Sequence, residues 1–188
     1  MSETKNLGTC YKIDARQSGF IVQAFATGLL SFVGHNPTFA VTRYGGEIQF
    51  ADGNAEVESM LVMIQTETIS LLDEMNEKDT AEIENTMHGE VLETKQFPEI
   101  TFVSKDISLK QISNGRFAVT ANGNLSLHGE TRPQTIEAEA EIKDGKIRAE
   151  GEFTLSQSNF SIKQTKALGG TLKVKDEVKI SFDIRAEV

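Results

Sequence analysis

The chain has 188 residues, 38% of them hydrophobic and 25% charged, with a formal net charge of -9, three histidines and one cysteine. This length and composition fit one globular domain over residues 1–188, and the acidic balance excludes a surface built to collect nucleic-acid phosphates. Cys10 has no disulfide partner and no Cys/His spacing resembles a structural zinc site. Met1 to Asn6 lack the apolar core of a secretory signal, so the chain as written is expected in the cytoplasm, and no apolar stretch is long enough for a transmembrane helix.

In chain order, Cys10–Arg16, a Gln17-Ser18-Gly19 turn and Phe20–Leu29 read as a β-hairpin. Gly34 and Pro37 break the pattern, and Phe39–Arg43 and Glu47–Ala51 flank Tyr44-Gly45-Gly46, which reads as a second hairpin with glycines supplying positive φ. The segment 57–66 is apolar on both faces and calls for a cover. One long helix, from about Asp79 to Lys95, is the expected cover. Asp79 with Glu82 suggests its cap, Ile83, Met87 and Val91 recur every four residues, and Phe97-Pro98 stops it.

Extended segments follow at 100–109, 116–127, 135–143, 146–157 and 172–188. In the run Ile136-Glu137-Ala138-Glu139-Ala140-Glu141-Ile142, apolar and acidic residues alternate without a fault, which puts one face inside and three carboxylates in water. Lys143-Asp144-Gly145-Lys146 carries the Asp-Gly signature of a tight hairpin. Sequential strands with one helix predict an all-β, mainly antiparallel, up-and-down barrel, which leaves no sheet edge open.

Inward positions on the late strands include Ala121, Gly123, Ala138, Ala140, Ala149 and Gly151. Small residues there either leave room for an apolar ligand or let the barrel taper. His128 falls on the polar register of its strand and is expected in solvent, as is His88 on the helix. His35, in the break before Pro37, either reaches into a barrel mouth or satisfies loop backbone. No metal site, nucleophile elbow or phosphate-cradling loop is evident.

Five segments resemble the YceI-like family of lipid-binding proteins: 28–36 (GLLSFVGHN), Val91-Leu92 with 97–104 (FPEITFVS), 123–133 (GNLSLHGETRP), 151–160 (GEFTLSQSNF) and 169–178 (GGTLKVKDEV). They span nearly the whole chain in the family's order. Where the family often has Arg-Ser ahead of the aromatic, this chain has Gln157-Ser158-Asn159-Phe160. The resemblance implies a lipocalin-like extended barrel, a helix near one end, no established catalysis and no cofactor, and a tunnel that takes an isoprenoid lipid or isoprenoid quinone as ligand.

On that reading the chain binds, stores or transports a long apolar amphiphile, and a homodimer stays open. The expected lining is Phe20, Val22, Leu29, Phe32 and Phe39 from the first strands and Val62, Phe102 and Phe117 from the middle. Leu125, Leu127, Phe153, Phe160, Phe182 and Ile184 complete it, with His35, Asn36 and Arg132 as head-group contacts. A membrane offers an apolar tail nearly the same surroundings as a tunnel, so selectivity must come from tunnel length, shape and those polar groups. The alternatives are an enzyme acting on an amphiphile with His35 as acid or base, and a ligand-free protein-interaction barrel.

Overall fold

The computed structural model describes residues 8–27, 36–51, 56–164, 166–167, 169 and 172–188. The strands are β1 (Cys10–Ile13), β2 (Gly19–Thr27), β3 (Thr38–Val41), β4 (Tyr44–Phe50), β5 (Val57–Gln65), β6 (Ile69–Leu71), β7 (Glu99–Ser113), β8 (Arg116–Leu127), β9 (Glu130–Lys143), β10 (Lys146–Ser156), β11 (Lys166–Ala167) and β12 (Leu172–Glu187). One helix, α1 (Glu77–Thr86), runs directly into a π-helical turn at Met87–Val91. Antiparallel pairing runs β1-β4-β5-β7-β8-β9-β10-β12, and β12 pairs back onto β1, which closes a barrel of eight staves.

The first three staves are each built from two strands. β1 and β2 lie along the same edge of β12, at Glu187–Ala186 and at Asp183–Lys173, so they are one bent stave rather than the predicted hairpin. The turn-like residues between them form a bend. The Asp14 carboxylate accepts from the Arg16 backbone N–H at 3.0 Å and the Gln17 side chain at 2.8 Å, and Ser18 Oγ accepts from the Arg185 N–H at 2.8 Å. These bonds hold the Asp14 carboxyl at a pKa of about 2, the Gln17 side chain first among the causes.

β3 and β4 repeat the arrangement. They pair with β2 and β1 respectively and not with each other, so the second predicted hairpin is also a bend, here at Thr42-Arg43. Gly45 and Gly46 lie inside β4, and a Cβ on Gly46 would sit 2.1 Å from the Leu61 carbonyl oxygen. Close approach of β5, not positive φ, is what that glycine supplies. The third stave bends through the 3-10 turn Thr66–Thr68, where Thr66 Oγ1 donates to the Phe97 carbonyl at 2.9 Å and Thr68 Oγ1 to the Gln65 carbonyl at 2.8 Å.

The tight hairpins are in the second half. Asp144-Gly145 and His128-Gly129 have φ of 50° and 70°, and 52° and 77°, the double positive φ that suits a two-residue connection between twisted strands. The sequence-predicted Asp-Gly turn is therefore as expected.

The helix is capped three residues earlier than the Asp79–Glu82 signature suggests. Asn76 accepts from the Asp79 N–H at 3.0 Å and donates to the Asp79 carboxylate at 2.7 Å. Ile83 and Met87 are buried, and the π turn brings Val91 in beside them. The helix closes the upper end of the barrel and does not cover the outer face of β5. There Met63, and Val103 opposite Leu61 on β7, are exposed.

Candidate functional site

The barrel interior differs between its ends. At the lower end, Tyr11, Ile13, Phe50, Ile147 and Ala186 are buried together, with the Tyr11 and Phe50 rings 5.2 Å apart. Above them lies a cavity of about 270 Å³ that reaches from Ile48, Ala149 and Ile184 up to α1 and Pro37. Along β8 its wall runs from Val119 to Leu127, roughly 26 Å of strand at about 3.3 Å per residue. Among the described residues every wall side chain is apolar except Thr86 on α1 and Gln157.

The sequence-nominated apolar residues and His35 separate into three groups. Phe20, Val22, Phe39, Val62, Phe102, Leu125, Leu127, Phe153, Phe182 and Ile184 are on the cavity wall. Phe117 and Phe160 are not. Phe117 pairs with Gln111 and Ala140 next to the β7–β8 hairpin, below the cavity, while Phe160 is 2% exposed at the end of the 3-10 turn Gln157–Phe160, packed in the core outside the wall. Leu29, Phe32 and His35 lie outside the described residues.

The remaining polar candidates have structural partners. Asn36 Oδ1 accepts from the Ala26 N–H at 3.0 Å and so supports the top of β2. Arg132 donates to the Asn159 carbonyl and to Glu130, each at 3.0 Å. Its side chain borders a polar surface groove with Gln134, Ser158 and Glu177, not the cavity. The groove lies where β9 and β10 stop pairing above Ala138 and Gly151, and Leu155 belongs to both its floor and the cavity wall.

The small inward residues divide by type. Ala121, Ala138 and Ala149 are on the wall, where their size leaves room. Gly123 and Gly151 are not: a Cβ would meet the Val103 oxygen at 2.4 Å and the Phe102 ring at 2.6 Å in the first case, and the Glu137 oxygen at 2.4 Å and the Phe182 ring at 2.7 Å in the second. These glycines accommodate crossing backbone and an aromatic ring laid over the strand.

His128 is not solvated as its register suggested. Its side chain is only 9% exposed, its ring centre 4.4 Å from that of Phe97 and tilted 52° to it, with Nδ1 3.1 Å from the Phe160 carbonyl oxygen and Nε2 2.8 Å from the Glu93 carboxylate. The positive φ at the turn redirects the side chain away from the strand's alternation, so His128 ties the segment after the helix to the turn Gln157–Phe160. His88 also differs from expectation, with Nδ1 buried and without a hydrogen-bond partner among the described residues. Sequence reasoning missed Gln157 as a wall residue, because its strand register ends at Ser156 and the 3-10 turn carries it inward.

No group of three or more His, Cys, Asp or Glu among the described residues is arranged to hold a metal ion. No helix among them is long and apolar enough to cross a membrane.

The comparisons with known proteins agree with this architecture. A "UPF0312 protein" of Pseudomonas putida strain W619 is 30% identical over 145 residues, 71% of each chain. Burkholderia cenocepacia BcnA superposes with a TM-score of 0.69 at 18% identity, covering 92% of this chain and 98% of BcnA. A polyisoprenoid binding domain from Saccharophagus degradans, described as implicated in plant cell wall breakdown, gives a TM-score of 0.67 at 14% identity over 97% of this chain and 99% of that domain. At such identities the structural likeness speaks for the fold alone. The family model described as YceI-like domain matches residues 11–186, from the first strand to the last, and the chain belongs to that family.

Proposed function

We propose that this barrel binds a long apolar molecule, an isoprenoid lipid, lengthwise in the cavity under the helix, and so stores it or carries it between membranes or enzymes. The observation that carries the reading is a hollow of about 270 Å³ with an apolar wall; at about 24 cal/mol per Å³ of unfilled core, leaving it empty costs the fold about 6 kcal/mol. That is comparable to the whole stability of a typical domain. A bound chain recovers the lost contacts, because dispersion needs atoms on both sides of the wall. The Saccharophagus degradans neighbour, named as a polyisoprenoid binding domain, supports the same ligand class.

The wall among the described residues offers no acid, base or cation, which favours binding over catalysis. Native mass spectrometry of freshly purified protein, followed by organic extraction, tests the proposal. The expected result is a mass increment that disappears on extraction and yields a lipid with an isoprenoid chain. A protein that carries no adduct and takes up no isoprenoid when incubated with one overturns it.

A further inference from the structure

Thr66, Gln157 and the His128 side chain are polar and more than nine-tenths buried, and His128, off the cavity wall, is hydrogen-bonded at both ring nitrogens. Thr66 is off the cavity wall and donates its hydroxyl to the Phe97 carbonyl. Gln157 is on the wall, and its amide is half used.

Its Nε2 donates to the Lys175 carbonyl at 3.0 Å and the Asp176 carbonyl at 3.3 Å. Both carbonyls can only accept, so the amide orientation is forced: a flip would set the Gln157 oxygen against two other oxygens. The carbonyls are presented by the irregularity in β12 between Val174 and Val178. The Asp176 carboxylate fixes the next residue as well, accepting from the Ser158 N–H at 2.8 Å and Ser158 Oγ at 2.7 Å. Gln157 is thereby held in place before any ligand arrives. Its Oε1 accepts no hydrogen bond from any described residue.

Among the described residues, the wall thus carries one held amide whose oxygen is given no donor. The other polar wall group, the Thr86 hydroxyl, can give or take a hydrogen bond and selects neither. We infer that the cavity prefers a ligand whose polar end is a neutral hydrogen-bond donor, an isoprenoid alcohol, with Gln157 Oε1 as the acceptor of its O–H. A quinone presents only carbonyl oxygens and a phosphate ester presents anionic ones. Either sets acceptor against acceptor in an apolar enclosure with no cation on its described wall.

This inference rests on the cavity being the lipid site, and the test separates the two. Dissociation constants of the wild-type protein are measured for geranylgeraniol, its methyl ether, its phosphate monoester and a quinone bearing the same chain, by displacement of a fluorescent apolar probe. The alcohol is expected to bind about tenfold or more tighter than the ether and the quinone, and also tighter than the phosphate. Gln157→Met is expected to bring alcohol and ether to near parity. Equal binding of alcohol and ether by the wild type, or tighter binding of quinone or phosphate, overturns the inference and leaves the lipid site standing. If none of the four binds, both fall. The wild-type comparison decides even if the variant fails to fold.

Discussion

The two ends of the barrel are made from the same alternating strands and finish in opposite states. At the lower end, aromatic side chains from the first and second staves meet, with the Tyr11 and Phe50 rings 5.2 Å apart among buried Ile13, Ile147 and Ala186. Above it, the inward positions of β8, β9 and β10 include Ala121, Ala138 and Ala149, and the helix forms a roof over a hollow. An inward apolar residue therefore means different things along one strand. Below, it fills; above, it lines.

The sharpest test of that contrast removes one ring from each end. Phe50→Ala is expected to cost about 3–5 kcal/mol, the usual loss for a buried phenylalanine. Phe153→Ala, which already borders empty space, should cost clearly less, as measured by urea unfolding of ligand-free protein. Equal losses would mean that the upper cavity is as well packed as the lower core.

A second pair adds atoms. Gly151→Leu drives a side chain into the Glu137 oxygen and the Phe182 ring and should destabilise by about 1–3 kcal/mol, whereas Ala138→Phe fills the hollow and leaves the unfolding midpoint unchanged or raised. The same Ala138→Phe protein should lose affinity for C20 and longer isoprenoids more than for C10 ones in a direct binding titration.

The smallest expected effect is at the lower bend. The Asp14 carboxyl, at about 2 instead of 3.8, contributes stability that is complete above about pH 4 and is lost as pH falls through 2. Melting followed by circular dichroism from pH 6 to pH 2 should show a shallower acid limb in Asp14→Asn than in the wild type. Parallel curves would show that the bend is held without that charge.

Strand direction, the closed barrel, the Asp144-Gly145 hairpin and the inward set on β8 to β12 were legible because a period of two needs no partner to be read. The bends at Asp14–Ser18 and Thr42-Arg43 were not, since a bend within a stave and a turn between two strands draw on the same Gly, Ser and Thr residues, and only pairing tells them apart. Gly151 and Ala138 looked alike in sequence. What separates them is the neighbour opposite, a phenylalanine ring laid over the glycine and open space beside the alanine. His128 and Gln157 lie one residue past the ends of β8 and β10, where alternation stops carrying information.

Among the described residues, the last strand, β12, is the only partner that both β10 and the first stave share, and it closes the circuit. During synthesis, the edges of β2 and β10 must therefore wait for residues 172–187 to emerge, with their apolar faces and free backbone groups open to other chains. Such closure across nearly the full length of the polypeptide gives a high contact order and slow folding. The nascent protein is most prone to aggregate in this interval, so it is also when a chaperone, or an early-bound lipid templating the hollow, would do the most for yield.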